Sequence, residues 1–229
     1  MVELLIVIGI IAILMSLTFS VMYNLTAQAE SEATATTIRK IDAILQQRME
    51  AFNRAFKGNR AAAAASIVQV KLAQQNIFGV RDEVIEILAK KRSFRFEFPQ
   101  RMAERYVEEH ASTSSLVPGM ADSVFKAIAA PYARDQLIAE GNPTPTDAAV
   151  LSRVTSNWAK HKDSTESAEL LYFALTAATS YGVGAADNDR FTEREVADTD
   201  EDGLPEFIDA WGQPLRFYRW PTRLIDMNP

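Results

Sequence analysis

The residues best suited to chemistry lie in one segment near the C-terminal end, D-T-D-E-D-G-L-P-E-F-I-D. It sets Asp198, Asp200, Asp202, Gly203, Glu206 and Asp209 at positions 1, 3, 5, 6, 9 and 12 of a loop. That is the ligand spacing of an EF-hand-type calcium loop, with the Leu204 carbonyl at position 7. Alternation brings the three aspartates to one side of a tight turn, and Gly203 permits the sharp bend. Position 12 normally carries a bidentate Glu, and Asp209 is one methylene shorter. Pro205 has no N–H for the strand pairing that joins two EF-hands, so a solitary loop is expected. The expected cofactor is Ca2+, held by Asp198, Asp200, Asp202, the Leu204 carbonyl, Glu206 and Asp209. A flexible loop with six oxygen ligands suits calcium better than magnesium. Zinc is disfavoured because no Cys or His adjoins the loop.

Charge arithmetic supports an ion. Between Arg194 and Arg216 lie seven acids and no base, namely Glu195, Asp198, Asp200, Glu201, Asp202, Glu206 and Asp209. Removing those seven takes the net charge of the 229-residue chain from -6 to +1. The acidity of the protein is therefore that of one loop, and no basic footprint for a nucleic acid is present. No catalytic set is expected. There are no cysteines, and only two histidines, His110 and His161. His110, near Glu108, Glu109, Ser112, Ser114 and Ser115, reads as a polar helix end, because a triad is a matter of geometry that this spacing does not supply. Gly182-Val183-Gly184 reads as a turn, lacking the rest of a nucleotide fingerprint.

A second chemical signal stands at the other end. Glu3 borders a run, Leu4 to Met15, in which nothing is polar, and no charge follows until after Tyr23. As a helix, Leu4 to Tyr23 spans roughly 30 Å, about one hydrocarbon core, and a transmembrane half is expected over residues 1–23. A carboxylate at the rim of such a run costs up to about 2.5–3.5 kcal/mol if drawn to a bilayer centre, so a partner for it is expected. V-E-L-L-I-V-I-G-I-I-A-I-L resembles the N-terminal segment of type IV pilins and type II secretion pseudopilins. Met1 stands where that family has a leucine. The resemblance implies a basic leader ending in Gly upstream, removed by a prepilin peptidase, and a methylated new terminus. It places Glu3 on the family's glutamate, whose carboxylate meets the terminal amine of a neighbouring subunit during assembly. The implied partners are other pilin or pseudopilin subunits and the inner-membrane secretion platform. The implied location is the bacterial inner membrane, single-pass, with the head in the periplasm. Asp209-Ala210-Trp211-Gly212-Gln213-Pro214 also resembles the Trp-Gly turn of major pseudopilins, although the acidic loop precedes that turn here and follows it in the family.

The elements that must carry these residues follow from periodicity. Ile38, Ile41, Leu45, Met49, Phe52 and Phe56 form one helical stripe, with Arg39, Lys40, Gln46, Gln47, Arg48 and Glu50 mostly off it. With no proline before Pro99 and a stop at Lys57-Gly58-Asn59, one helix is expected from Val2 to Phe56. Its amphipathic half occupies 24–58, and a head of 59–229 contains the loop 198–209. Helices are expected over 61–91 with a break near Gly79, then 100–111, 121–140 with a bend at Pro131, 148–160 with Asp147 as cap, and 165–181. Ser93 to Phe98 alternates and reads as a strand, and residues 213–220, with Leu215, Phe217, Tyr218 and Trp220, read as a second. The expected class is α+β: a long N-terminal transmembrane and amphipathic helix, a largely helical head and a small C-terminal sheet. The function expected is a pilin-like structural subunit of a secretion pseudopilus, minor or specialised given its large head. A membrane-anchored periplasmic protein that binds a ligand or substrate is the alternative.

Overall fold

The computed structural model describes residues 2–104, 120–177, 184, 186 and 190–219; side chains at 2–5, 17, 20, 21 and 120–123 lie outside that description. Helix α1 (Val2–Ala55) is a single run of 54 residues. It stops where Gly58 takes a left-handed φ of 56°, a conformation that costs glycine nothing. Helices α2 (Asn59–Gln74) and α3 (Asp82–Glu97) form an antiparallel pair, joined by a turn with Asn76 and Gly79 at φ 58° and 73°. Then come α4 (Met120–Ala139), with Pro131 inside it, α5 (Asp147–Trp158) and α6 (Glu166–Thr176). The cap of α5 is Thr146, whose hydroxyl accepts the Ala149 N–H at 3.3 Å. Asp147, the expected cap, sits one residue later and pairs with Arg134.

Three apolar clusters hold these elements together. Leu170 of α6 packs with Phe125, Ala129 and Ala133 of α4, Val150 and Val154 of α5, and Leu204. Leu171 and Leu175, on the opposite side of α6, pack with Ile41 and Ile44 of α1 and with Phe191 and Phe207. Phe52 and Phe56 of α1 pack with Val68 and Ile85 of the α2–α3 pair. Helix α6 is thus the buried centre of the head. The buried face of α1 is rotated from the expected stripe: Ile38 and Met49 are exposed, while Thr37 and Arg48 are buried. The burial of Arg48 has a chemical reason. Its guanidinium donates to the Ala174, Leu175 and Gly184 carbonyls, the first two at the C-terminal end of α6, where a helix leaves acceptors unmet and favours a cation.

Two expectations are corrected. The class is mostly helical rather than α+β. Among the described residues the only sheet pairs β1 (Val196–Ala197) with β2 (Glu206–Phe207), antiparallel, with Val196 opposite Phe207. The expected strand at 93–98 is the last turn of α3 and its cap. Phe94 and Phe98 are four residues apart, so a helix also brings them together, with ring centroids at 4.8 Å, and Phe94 meets Phe52 of α1 at 5.3 Å. Among the described residues no strand lies alongside to favour the extended form. The segment from Gln213 makes one bridge, Pro214 to Ile208, and the Leu215 N–H donates to the Phe207 carbonyl at 2.8 Å. Pro214 has no N–H to continue a ladder, and Trp220 lies outside the described residues. The second correction concerns the membrane. Among the described residues no helix is long and apolar enough to cross one, which overturns the transmembrane half expected over 1–23.

Candidate metal centre

The head brings four metal-ligating side chains to one buried point. His161 follows the end of α5. Its ring stacks on Trp158, with centroids 4.9 Å apart and planes at 15°, and meets Phe125 at 5.3 Å. Glu169 lies in the first turn of α6, where the helix dipole favours an acid. Asp200 and Asp202 come from the acidic loop. One ligand atom of each of His161, Glu169, Asp200 and Asp202 lies within 4.8 Å of the others, so this set could hold a metal ion. Glu169 is 2% exposed, Asp200 6% and Asp202 0%.

The loop is shaped by its own carboxylates. Asp198 accepts the Asp202 N–H at 3.1 Å and the Gly203 N–H at 2.8 Å. Gly203 has φ 88°, a conformation that favours glycine, and a Cβ there would also push the Asn157 amide, 2.5 Å away, out of its place. Asp200 Oδ2 accepts the Lys162 N–H at 3.1 Å and the Thr165 hydroxyl at 2.9 Å. Asp202 Oδ1 accepts the Leu204 N–H at 2.8 Å, and its Oδ2 lies 2.7 Å from His161 Nδ1. Glu206 Oε1 accepts the Thr199 N–H at 2.8 Å and the Thr199 hydroxyl. Asp209 acts outside the cluster, where its Oδ1 accepts the Trp211 and Gln213 N–H groups at 2.9 and 2.8 Å and caps the Trp-Gly turn. Three buried oxygens, Glu169 Oε1 and Oε2 and Glu206 Oε2, have no hydrogen-bond partner. His161 Nδ1 stands 3.5 Å from Glu169 Oε2, an ion-pair distance beside its shorter contact with Asp202.

Several titrations are distorted by this setting. Burial, reinforced by the Asp202 charge, pushes the Glu169 carboxyl up to about 10. Burial also pushes Glu206 up to about 7, with Asp200 and Asp198 adding repulsion against the Thr199 hydrogen bonds. Asp198 is raised mainly by burial. Burial alone would lower His161, but the Asp202 hydrogen bond and charge outweigh it and raise the imidazole.

Of the six expected ligands, the structure gathers Asp200 and Asp202 into the cluster. Asp198 turns onto its own loop, Leu204 is buried in the core at 2% exposure, Glu206 is fully buried, and Asp209 caps the next turn. Glu3 lies in the first turn of α1, its side chain outside the described residues, as is the whole of His110. The expectation that no histidine approaches the loop fails, because His161 is distant in sequence and adjacent in space. Glu169 had a signal of its own. It is a carboxylate in a helical segment whose neighbours Ala168, Leu170, Leu171, Ala174 and Leu175 are apolar all round the helix. No family model, curated protein or solved structure matches the chain significantly.

Proposed function

We propose that the chain is a pilin-like structural subunit of a type II secretion pseudopilus, of the minor or specialised kind, that acts by assembly rather than by catalysis. The observation that carries this reading is the division of α1. From Ile41 to Phe56 the chain is fixed to the head through Ile41, Ile44, Phe52 and Phe56. From Ile6 to Met22 every large apolar side chain that is described is at least 47% exposed. An apolar face of that length needs a non-aqueous partner, and the same face of neighbouring copies supplies one in a fibre. Glu3 then neutralises a neighbour's terminal amine within the bundle. The partners of this reading are other pilin or pseudopilin subunits and the secretion platform, with the head on the periplasmic side of the bacterial inner membrane.

The ion of the head in this reading is calcium. The loop spacing and the predominance of carboxylates in the cluster, three to one imidazole, favour it. A lone extracytoplasmic loop of this kind binds with a dissociation constant on the order of 10⁻⁴–10⁻³ M. At tenfold that concentration, mass action stabilises the head by roughly 1.4 kcal/mol. The assembly reading is tested with Glu3→Ala. The variant should fold and reach membranes as the wild type does, yet fail to enter the pseudopilus when subunits are crosslinked in membranes. Incorporation at the wild-type level would refute it.

A further inference from the structure

We propose that Glu169 supplies the bidentate carboxylate that the calcium loop lacks at its own twelfth position, with Glu206 Oε2, likewise buried and unpartnered, drawn in as a further oxygen, so that the ion's oxygen shell is assembled from helix α6 and the 198–209 loop together. The inference rests on the calcium reading above and goes beyond it in naming a discontinuous site.

An EF-hand-type loop closes its shell with both oxygens of the residue at position 12. Asp209 holds that position, but its Oδ1 is taken up by two backbone N–H groups of the following turn. Glu169 offers what is missing. It is 2% exposed, and neither of its oxygens has a hydrogen-bond partner. A buried carboxyl left so is costly to ionise unless a cation takes it up, and without one it keeps its proton. One of its oxygens lies within 4.8 Å of ligand atoms on Asp200 and Asp202. Glu206, 0% exposed, is half engaged: Thr199 holds Oε1, and Oε2 is left over.

His161 completes the arrangement as a positioning residue. Its Nδ1 sits 2.7 Å from Asp202 Oδ2, and stacking on Trp158 fixes the ring. The imidazole thereby donates to a carboxylate and orients it, the usual work of a group just outside a metal's ligands. What remains for the ion is a set of oxygens, the preference of a hard divalent cation of calcium's size.

The same stacking provides the assay. Trp158 lies beside the centre, close enough to sensitise the luminescence of bound Tb3+, a calcium substitute. With the full chain in detergent, excitation of tryptophan should give Tb3+ emission that Ca2+ displaces. Trp158→Phe should lose most of that emission while calorimetry still records Ca2+ binding. Glu169→Gln should weaken Ca2+ binding at least about tenfold, and His161→Gln, which keeps a donor for Asp202, should weaken it less. Asp209→Ala should bind within about threefold of wild type, because the capped turn lies outside the shell. Circular dichroism on each variant separates loss of ligands from loss of fold, and Glu206→Gln provides a second lesion should Glu169→Gln unfold. The proposal is overturned if Glu169→Gln binds like wild type, and Asp209→Ala binding about tenfold weaker would return the twelfth-position role to Asp209. It is equally overturned if Zn2+ displaces Tb3+ more readily than Ca2+ and His161→Gln abolishes the effect, for then the imidazole is a ligand. A wild-type chain that binds neither Tb3+ nor Ca2+ refutes the calcium reading too, and leaves the Glu3 crosslinking result standing on its own.

Discussion

Glu169 couples the head's stability to pH in a direction opposite to most carboxylates. Unfolded, it titrates near 4.5; buried in α6 it titrates at about 10. Between those values the folded chain keeps a proton that the unfolded chain has lost, so stability falls as pH rises. The contribution of this group is whole below the unfolded value and is lost as pH climbs through the folded one. A bound cation removes the penalty by stabilising the ionised form. With chelator present, the wild-type melting temperature should therefore fall between about pH 5 and about pH 9, and saturating calcium should flatten that slope. Glu169→Gln, with nothing to ionise, should show the shallower slope in chelator and little response to calcium. Parallel slopes for the two proteins in chelator would show that Glu169 is not the group responsible. At this scale the sequence was half legible. Asp198 to Asp209 announces itself because its ligands are neighbours along the chain. Glu169 and His161 do not, because helix packing brings them to the loop from 29 and more residues upstream.

The joint between α1 and α6 is the element on which the head depends. Arg48 crosses from one to the other and meets three carbonyls, while Glu195 is tied to α1 by Lys40 Nζ at 2.8 Å and by the Thr37 hydroxyl at 2.8 Å. Burial opposes ionisation of Glu195, but those donors and the Thr192 N–H hold its carboxyl down at about 2. Arg48→Ala takes this donor from the Ala174 and Gly184 carbonyls, while Leu175 keeps the Ala186 N–H at 2.7 Å, and should cost about 1–3 kcal/mol, read from urea unfolding followed by tryptophan fluorescence. Arg48→Lys should recover only part of that, since a single ammonium cannot fork across three acceptors. A variant as stable as wild type would mean that water satisfies these carbonyls. The length of α1 could be read from its residues, because no proline interrupts it and Gly58 ends it. Its buried face could not. Arg48 counts as polar in any periodicity, and only the carbonyls at the end of α6 explain why it faces inward. The 93–98 segment failed for a related reason: aromatic alternation fits a strand and an i,i+4 helical pair equally, and the neighbour that decides is Phe52 of α1.

At the scale of the whole molecule the chain has two regions with different needs. The head and the second half of α1 cover one another, with three apolar clusters gathered around α6 and α1. The first part of α1 is not covered, because its described apolar side chains, from Ile6 at 57% to Phe19 at 72% exposed, touch nothing of their own chain sufficient to cover them. Hydropathy alone suggested a bilayer for that surface. Among the described residues no helix is long and apolar enough to cross one, and packing among copies is the solution the proposal adopts. The chain contains no cysteine, so any disulfide between copies must come from residues introduced for the purpose. The most direct measurement is oxidation in membranes of a variant carrying Ile8→Cys and Phe19→Cys, both on the exposed part of α1. The account predicts a ladder of covalent dimers, trimers and longer oligomers, which disappears when Glu3→Ala is added to the same chain. Monomers alone under oxidation, or a ladder that persists unchanged with Glu3→Ala, would contradict it.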